Sequence, residues 1–224
     1  MINLDTYKKL NSLKNKINEN VQLVAVSKFQ SVEAIQSLYN EGHRHFGENY
    51  VQELLSKVEV LPKDIHWHFI GHLQTNKVKY IAPFIHLIQG VDSLKLLKEI
   101  NKEAKKNNTI INCLLQIHIA KEETKFGFNL DEVKELFNVH QLNELQHICI
   151  KGVMGMASFV EDEKQVEQEF ESLYNVFSFL QKNATSNCSP SIASFGMSGD
   201  YELAIECNSN MIRVGSMLFG ARKV

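Results

Sequence analysis

Proline is scarce, with three in 224 residues, and no stretch is rich in glycine, serine or a single charge. Without a linker-like or low-complexity segment nothing marks a boundary between domains, and residues 1–224 are expected to form a single domain. Long apolar runs are missing too. None reaches the length needed to cross a bilayer, and the first ten residues lack the apolar core of a secretion signal, so a cytoplasmic protein is expected. Cysteine is limited to Cys113, Cys149, Cys188 and Cys207, which form no CxxC pair and read as reduced thiols. Net charge is only -2, so nothing global points to nucleic acid or to an anionic membrane. No GxSxG, P-loop or GxGxxG pattern is present, which removes serine hydrolase, NTPase and dinucleotide chemistry as first readings.

What is present is alternation. Apolar, β-branched runs at 21–27, 45–47, 66–70, 84–89, 110–119, 147–153, 191–195 and 211–214 predict strands. Helical patterns fill 32–40, 50–58, 75–81, 94–106, 131–137, 164–182 and 201–207, and an extra helix is predicted over 3–20. Ser31, Thr75, Ser93 and Asp131 are candidate helix caps. Strands alternating with helices imply right-handed crossovers and a parallel α/β sheet, and eight such units allow closure into a (β/α)8 TIM barrel. An open doubly wound sheet is the alternative.

In a barrel, functional groups gather beyond the carboxyl ends of the strands. Lys28 stands there, just after the first apolar run. An amine held against apolar surroundings loses part of its preference for the charged state and can form a Schiff base with a carbonyl. Two glycine–hydroxyl turns, Gly196-Met197-Ser198-Gly199-Asp200 and Gly215-Ser216, follow the seventh and eighth runs. Barrels frequently bind phosphate on those two loops, where glycine permits close backbone approach and free N–H groups and hydroxyls donate. Arg213 lies within an apolar strand, facing opposite Ile212 and Val214. It is either paired with a structural carboxylate or a donor to a ligand. Lysine, two-loop phosphate site and inward arginine together describe a pyridoxal phosphate pocket. Glu48 reads as structural. His66, His68 and His72 flank Trp67 without completing a familiar ligand spacing, and no metal site is expected. His43, His45, His118, His140 and His147 show no constellation.

These residues sit in longer motifs: Ala25-Val26-Ser27-Lys28, Gly47-Glu48-Asn49-Tyr50-Val51-Gln52-Glu53, Trp67-His68-Phe69-Ile70-Gly71-His72-Leu73-Gln74-Thr75-Asn76-Lys77, Lys125-x-Gly127, Gly152-Val153-Met154, Gly196 to Asp200, and Arg213 to Arg222. In content and order they resemble the pyridoxal phosphate homeostasis protein family (the YggS/PROSC family). The resemblance implies the alanine racemase N-terminal-like barrel with pyridoxal 5′-phosphate (PLP) held as a lysine aldimine. By position it implies Lys28 on the cofactor, Asn49 beside its ring, Arg213 at the pyridine nitrogen, and Ser198, Gly215 and Ser216 on the phosphate. Ser216 replaces the family's more usual threonine, Phe195 stands where methionine is common, and His118 where asparagine is common. Alanine racemases of this fold draw a second acid/base from an appended β-domain. The chain ends at Val224, just after the last barrel element, so that domain is expected to be absent. An arginine at the ring nitrogen would also keep it unprotonated and weaken the ring as an electron sink. The expectation is a monomeric, cytoplasmic carrier or buffer of PLP in vitamin B6 homeostasis, not an enzyme, with no catalytic residue and with PLP-dependent apo-enzymes as candidate recipients. A specialised PLP-dependent amino-acid racemase is the alternative, and a cofactor-free Schiff-base aldolase the third reading.

Overall fold

A computed structural model describes residues 2–17, 21–119, 126–138 and 141–220. Eight parallel strands close in sequence order into one barrel: β1 (Gln22–Val26), β2 (His45–Glu48), β3 (His66–Phe69), β4 (Leu87–Val91), β5 (Ile111–Gln116), β6 (Ile148–Met154), β7 (Cys188–Ser194) and β8 (Met211–Val214). Closure is made where β8 pairs with β1, Gln22 opposite Met211 through Ala25 opposite Val214. Nine helices wrap the barrel among the described residues: α1 (Leu4–Ile17), α2 (Val32–Asn40), α3 (Val51–Val60), α4 (Val78–Ile81), α5 (Leu94–Lys106), α6 (Leu130–Asn138), α7 (Glu163–Lys182), α8 (Tyr201–Glu206) and α9 (Ser216–Phe219).

Local chemistry explains most boundaries. Ser31 Oγ accepts from the N–H of Ala34 to start α2, and Ser93 Oγ does the same for Leu96 at α5. Thr75 is no cap: it opens a short 3-10 turn, Thr75–Lys77, that leads into α4. The cap of α6 is Asn129 rather than Asp131. Its Oδ1 accepts from the N–H groups of Asp131 and Glu132, both at 2.9 Å, while Glu132 Oε2 accepts from the Asn129 N–H at 2.8 Å. That reciprocal pair is a capping box. The fourth strand starts three residues later than its apolar pattern suggests. The N–H groups of Phe84 and Ile85 turn back to the Ile81 carbonyl at 3.2 and 3.0 Å, so this stretch ends α4 instead of joining the sheet.

The apolar interior has two parts. Most of it lies between barrel and helices. A smaller cluster, Val24, Leu87, Leu114, Met154 and Met211, fills the inside of the barrel. Polar side chains share that inner space: His68, Gln89, Ser194 and Arg213 are all buried. Cys113, Cys188 and Cys207 are buried free thiols and Cys149 is half-buried; burial pushes the first three thiols above the ordinary range. Among the described residues no helix is long and apolar enough to cross a membrane.

Candidate functional site

The strand ends carry a cavity of about 680 Å³ at the carboxyl mouth of the barrel. That lies within the usual range of small-molecule sites, about 300–1,000 Å³. Lys28, Ser198, Arg213, Gly215 and Ser216 all line it, together with Val26, Gln30, Met197 and Asp200. Asn49 does not. It stands at the end of β2, where its backbone so crowds Gly71 that a Cβ there would meet the Asn49 carbonyl oxygen at 2.7 Å. Its side-chain Oδ1 is buried and has no hydrogen-bond partner among the described residues.

Lys28 sits in a clamped turn. The buried Lys57 ammonium donates to the Ser27 carbonyl at 2.8 Å, to Glu48 Oε1 at 2.7 Å and to Glu53 Oε1 at 2.6 Å. Glu53 Oε1 in turn accepts from the N–H of Phe29, and Ser27 Oγ donates to Glu48 Oε1 at 2.6 Å. Both peptide groups flanking Lys28 are therefore held by one buried ion cluster. Phe29 is fixed with φ of +62°, a left-handed conformation uncommon for a non-glycine residue. Glu48 is fully buried, and burial pushes its carboxyl up while Lys57 and Ser27 pull it down. Its role is to position the lysine turn.

Arg213 reaches into the barrel from β8. Nη1 donates to the Ser194 carbonyl at 2.8 Å and to Ser194 Oγ at 2.7 Å, and Nη2 donates to the Gly155 carbonyl at 2.9 Å. Among the described residues Nε has no protein partner, and no carboxylate pairs with the guanidinium, which sets aside the structural ion pair. Burial pushes its pKa down to about 10, with Asp200 acting against that, so it remains charged at neutral pH.

The two glycine turns border the same space. Gly196 has φ of +95°, and a Cβ there would meet Ala204 Cβ at 2.5 Å, so the turn needs glycine twice over. Asp200 Oδ1 accepts from the N–H of Met197 and closes the turn with Ser198 at its crest. Burial raises the Asp200 carboxyl, and Arg213 lowers it. Gly215 precedes α9, whose first N–H groups have no intrahelical acceptors.

A further wall escaped sequence reasoning: Ser158, Phe159, Val160, Val166 and Met217. Ser158 is held by buried Glu169, which accepts from its N–H at 2.6 Å and from Oγ at 2.9 Å. Phe159 is 99 % exposed. A glycine at 155 just beyond β6 was the available signal. His72 is separated from its sequence neighbours His66 and His68. It lies beyond β3, bound through Nδ1 to Asp92 Oδ2 at 2.7 Å and stacked on Phe126. His118 follows β5 and bonds through its backbone N–H to Phe128. Lys125, His140, Ala221 and Arg222 lie outside the described residues.

The donor set suits a phosphorylated aldehyde. A lysine, two hydroxyls, glycine backbone and an arginine line one cavity, and Asn49 adds a buried oxygen that has no hydrogen bond among the described residues. The alanine racemase N-terminal domain family matches residues 2–223. A pyridoxal phosphate homeostasis protein of Schizosaccharomyces pombe is 39% identical over 206 residues, 91% of this chain and 85% of that protein. One from Helicobacter pylori strain 26695 is 41% identical over 202 residues, covering 89% and 87%. Among solved structures, PipY of Synechococcus elongatus PCC7942 with PLP bound superposes with a TM-score of 0.84 at 32% identity, covering 96% of this chain and all of that one. An alanine racemase of Clostridium difficile 630 gives 0.77 at 19% identity over 58% of its own length, a likeness of fold alone.

Proposed function

We propose, for a chain that belongs to the alanine racemase N-terminal domain family and to its pyridoxal phosphate homeostasis proteins, that it binds PLP reversibly and takes part in its homeostasis as a carrier or buffer. The observation that supports this reading is the meeting of Lys28, Ser198, Arg213, Gly215 and Ser216 on one cavity. The cofactor supplies an aldehyde that a lysine amine captures reversibly. In this reading Lys28 provides that amine, held in place by the Lys57–Glu48–Glu53 cluster behind its turn. Arg213, a charged donor held by Ser194 and Gly155, would meet the ring nitrogen and keep it unprotonated. Ser198, Ser216 and the backbone at Gly215 would take the phosphate, and Asn49 would support the ring from the end of β2.

An arginine in that place opposes carbanion chemistry, and the relatives at 35–41% identity are named for homeostasis. The chain is accordingly read as a non-enzymatic binder. Transfer to PLP-dependent apo-enzymes, a monomeric state and a cytoplasmic location belong to the same proposal.

The test is a paired assay. Protein loaded with PLP and dialysed is mixed with a cofactor-free transaminase, and in parallel with L-alanine in deuterated water. Recovery of transaminase activity, with no α-deuterium exchange above that of free PLP, is the expected result. Saturable racemisation would replace the carrier with the racemase reading.

A further inference from the structure

Four imidazoles meet at the other mouth of the barrel, the amino end of the strands. His45 opens β2, His66 opens β3 opposite it, His68 lies two residues along the same face of β3, and His86 directly precedes β4. His45 Nδ1 is 2.9 Å from His68 Nε2, and His45 Nε2 is 3.2 Å from His66 Nδ1. The His66 and His86 rings stack at 4.3 Å, and the His68 and His86 centroids are 5.4 Å apart. One nitrogen from each of His45, His68 and His86 lies within 4.8 Å of the other two.

We propose that His45, His68 and His86 form a binding site for one divalent transition-metal ion of the zinc class, distinct from the cavity at the carboxyl mouth.

Two observations support it. Imidazole nitrogens bind such ions at about 2.0–2.1 Å, which places two ligands of a tetrahedral ion about 3.3 Å apart. The 2.9 Å contact is a little shorter than that spacing, and the other pairs lie within 4.8 Å, a range that includes it. Ligation also needs neutral imidazoles. Among the described residues no carboxylate is hydrogen-bonded to His66, His68 or His86, so the cluster is not assembled around an acid. Three neutral ligands leave the full charge of a cation to be shared by the site and a bound water, as in open zinc centres.

Behind the cluster a line of hydrogen bonds fixes the resting tautomer of His68. Arg213 can only donate, so Ser194 Oγ accepts from it and must give its own proton to Gln89 Oε1, 2.7 Å away. Gln89 Nε2 then donates to His68 Nδ1 at 3.0 Å, which leaves the His68 proton on Nε2, pointing at His45. The arginine at one mouth thereby dictates the tautomer of an imidazole at the other. For His68 Nε2 to ligate, its proton moves to Nδ1 and the Gln89 amide turns to present Oε1, which breaks the Ser194–Gln89 bond, so the network as it stands opposes ligation and is rebuilt by it. A metal ligand whose other ring nitrogen donates to a fixed oxygen is the usual arrangement.

The test uses untagged full-length protein stripped with a chelator and titrated with Zn²⁺ against a chromophoric competitor, then with Co²⁺. One tightly held equivalent is expected, with a cobalt spectrum of nitrogen ligation. His86→Ala should weaken zinc at least about tenfold, and His45→Ala should do the same. His72→Ala, at the opposite mouth, should leave zinc affinity unchanged. His86 lies outside the strands, so its variant keeps the core; thermal melts of each variant confirm folding, and His86→Ala alone decides if His45→Ala unfolds. Absence of stoichiometric zinc, affinity unmoved by His86→Ala, or a cobalt–thiolate charge-transfer band would each overturn the proposal. None of these readouts involves PLP, so the site stands or falls independently of the cofactor reading.

Discussion

The two mouths of this barrel are made by the same eight strands and solve different problems. At the carboxyl mouth the polar groups are tied down from behind. Lys57 grips the turn that carries Lys28, Asp200 closes the turn that carries Ser198, and Ser194 and Gly155 hold two of the three nitrogens of Arg213. What remains lines the cavity. At the amino mouth the imidazoles are tied mainly to one another, and the space between them is small. The contrast teaches that preorganisation has a direction: one mouth presents fixed donors to something large and anionic, the other a tight set of lone pairs. A line of hydrogen bonds from Arg213 through Ser194 and Gln89 to His68 joins them.

The comparison is broken most completely at Lys28. Lys28→Ala should abolish the visible absorption band formed with PLP, with circular dichroism unchanged, since the side chain lines a cavity and not the core. A retained band would move the covalent site elsewhere. Next comes the clamp behind it. Lys57→Met leaves Glu48 buried without its cation, and losing one partner of a buried pair costs about 3–5 kcal/mol. Denaturant melts should show that loss, together with weaker PLP binding as the turn loosens; unaltered stability would contradict the clamp. Ser216→Ala removes one hydroxyl from the phosphate end and should weaken PLP binding by about 1.5–3 kcal/mol, the scale for bonds to charged groups. Fluorescence titration checks it, and unchanged affinity would place the phosphate elsewhere.

The smallest effect sharpens the amino mouth. His68 and His86 are held below their ordinary pKa of 6.5 in the folded chain. The unfolded chain therefore binds more protons between the folded and unfolded values. Stability supplied by the neutral imidazoles is complete above pH 6.5 and declines as pH falls from there toward the folded values. Thermal melts across that window should show the decline, and His68→Asn should flatten it. An equal slope in the variant would assign the pH dependence to other groups.

The closed barrel was legible because its signals are local. The run Met211–Val214 and the helices Val32–Asn40 and Leu94–Lys106 match their patterns residue for residue, the two helices with serine caps at their starts. The fourth strand was misplaced because the apolar side chains of Phe84 and Ile85 pack equally well in a turn, and only the Ile81 carbonyl decides. Five of the six residues proposed to hold the cofactor share the cavity because motif positions and strand ends coincide, while Asn49 lies off its wall. The Lys57 clamp was invisible: it joins Ser27, Glu48 and Glu53, which only the parallel register of β1 and β2 and the packing of α3 bring together. The histidines were misgrouped for the same reason. His72 is close to His66 and His68 in sequence, but the register places His45 and His86 beside them instead.

The central claim is that the carboxyl mouth is a PLP site built on Lys28. Purified protein incubated with PLP, reduced with borohydride and mapped by peptide mass spectrometry tests it directly. A single pyridoxyl adduct on the peptide containing Lys28 is the predicted result. No adduct, or adducts scattered over surface lysines, would contradict it.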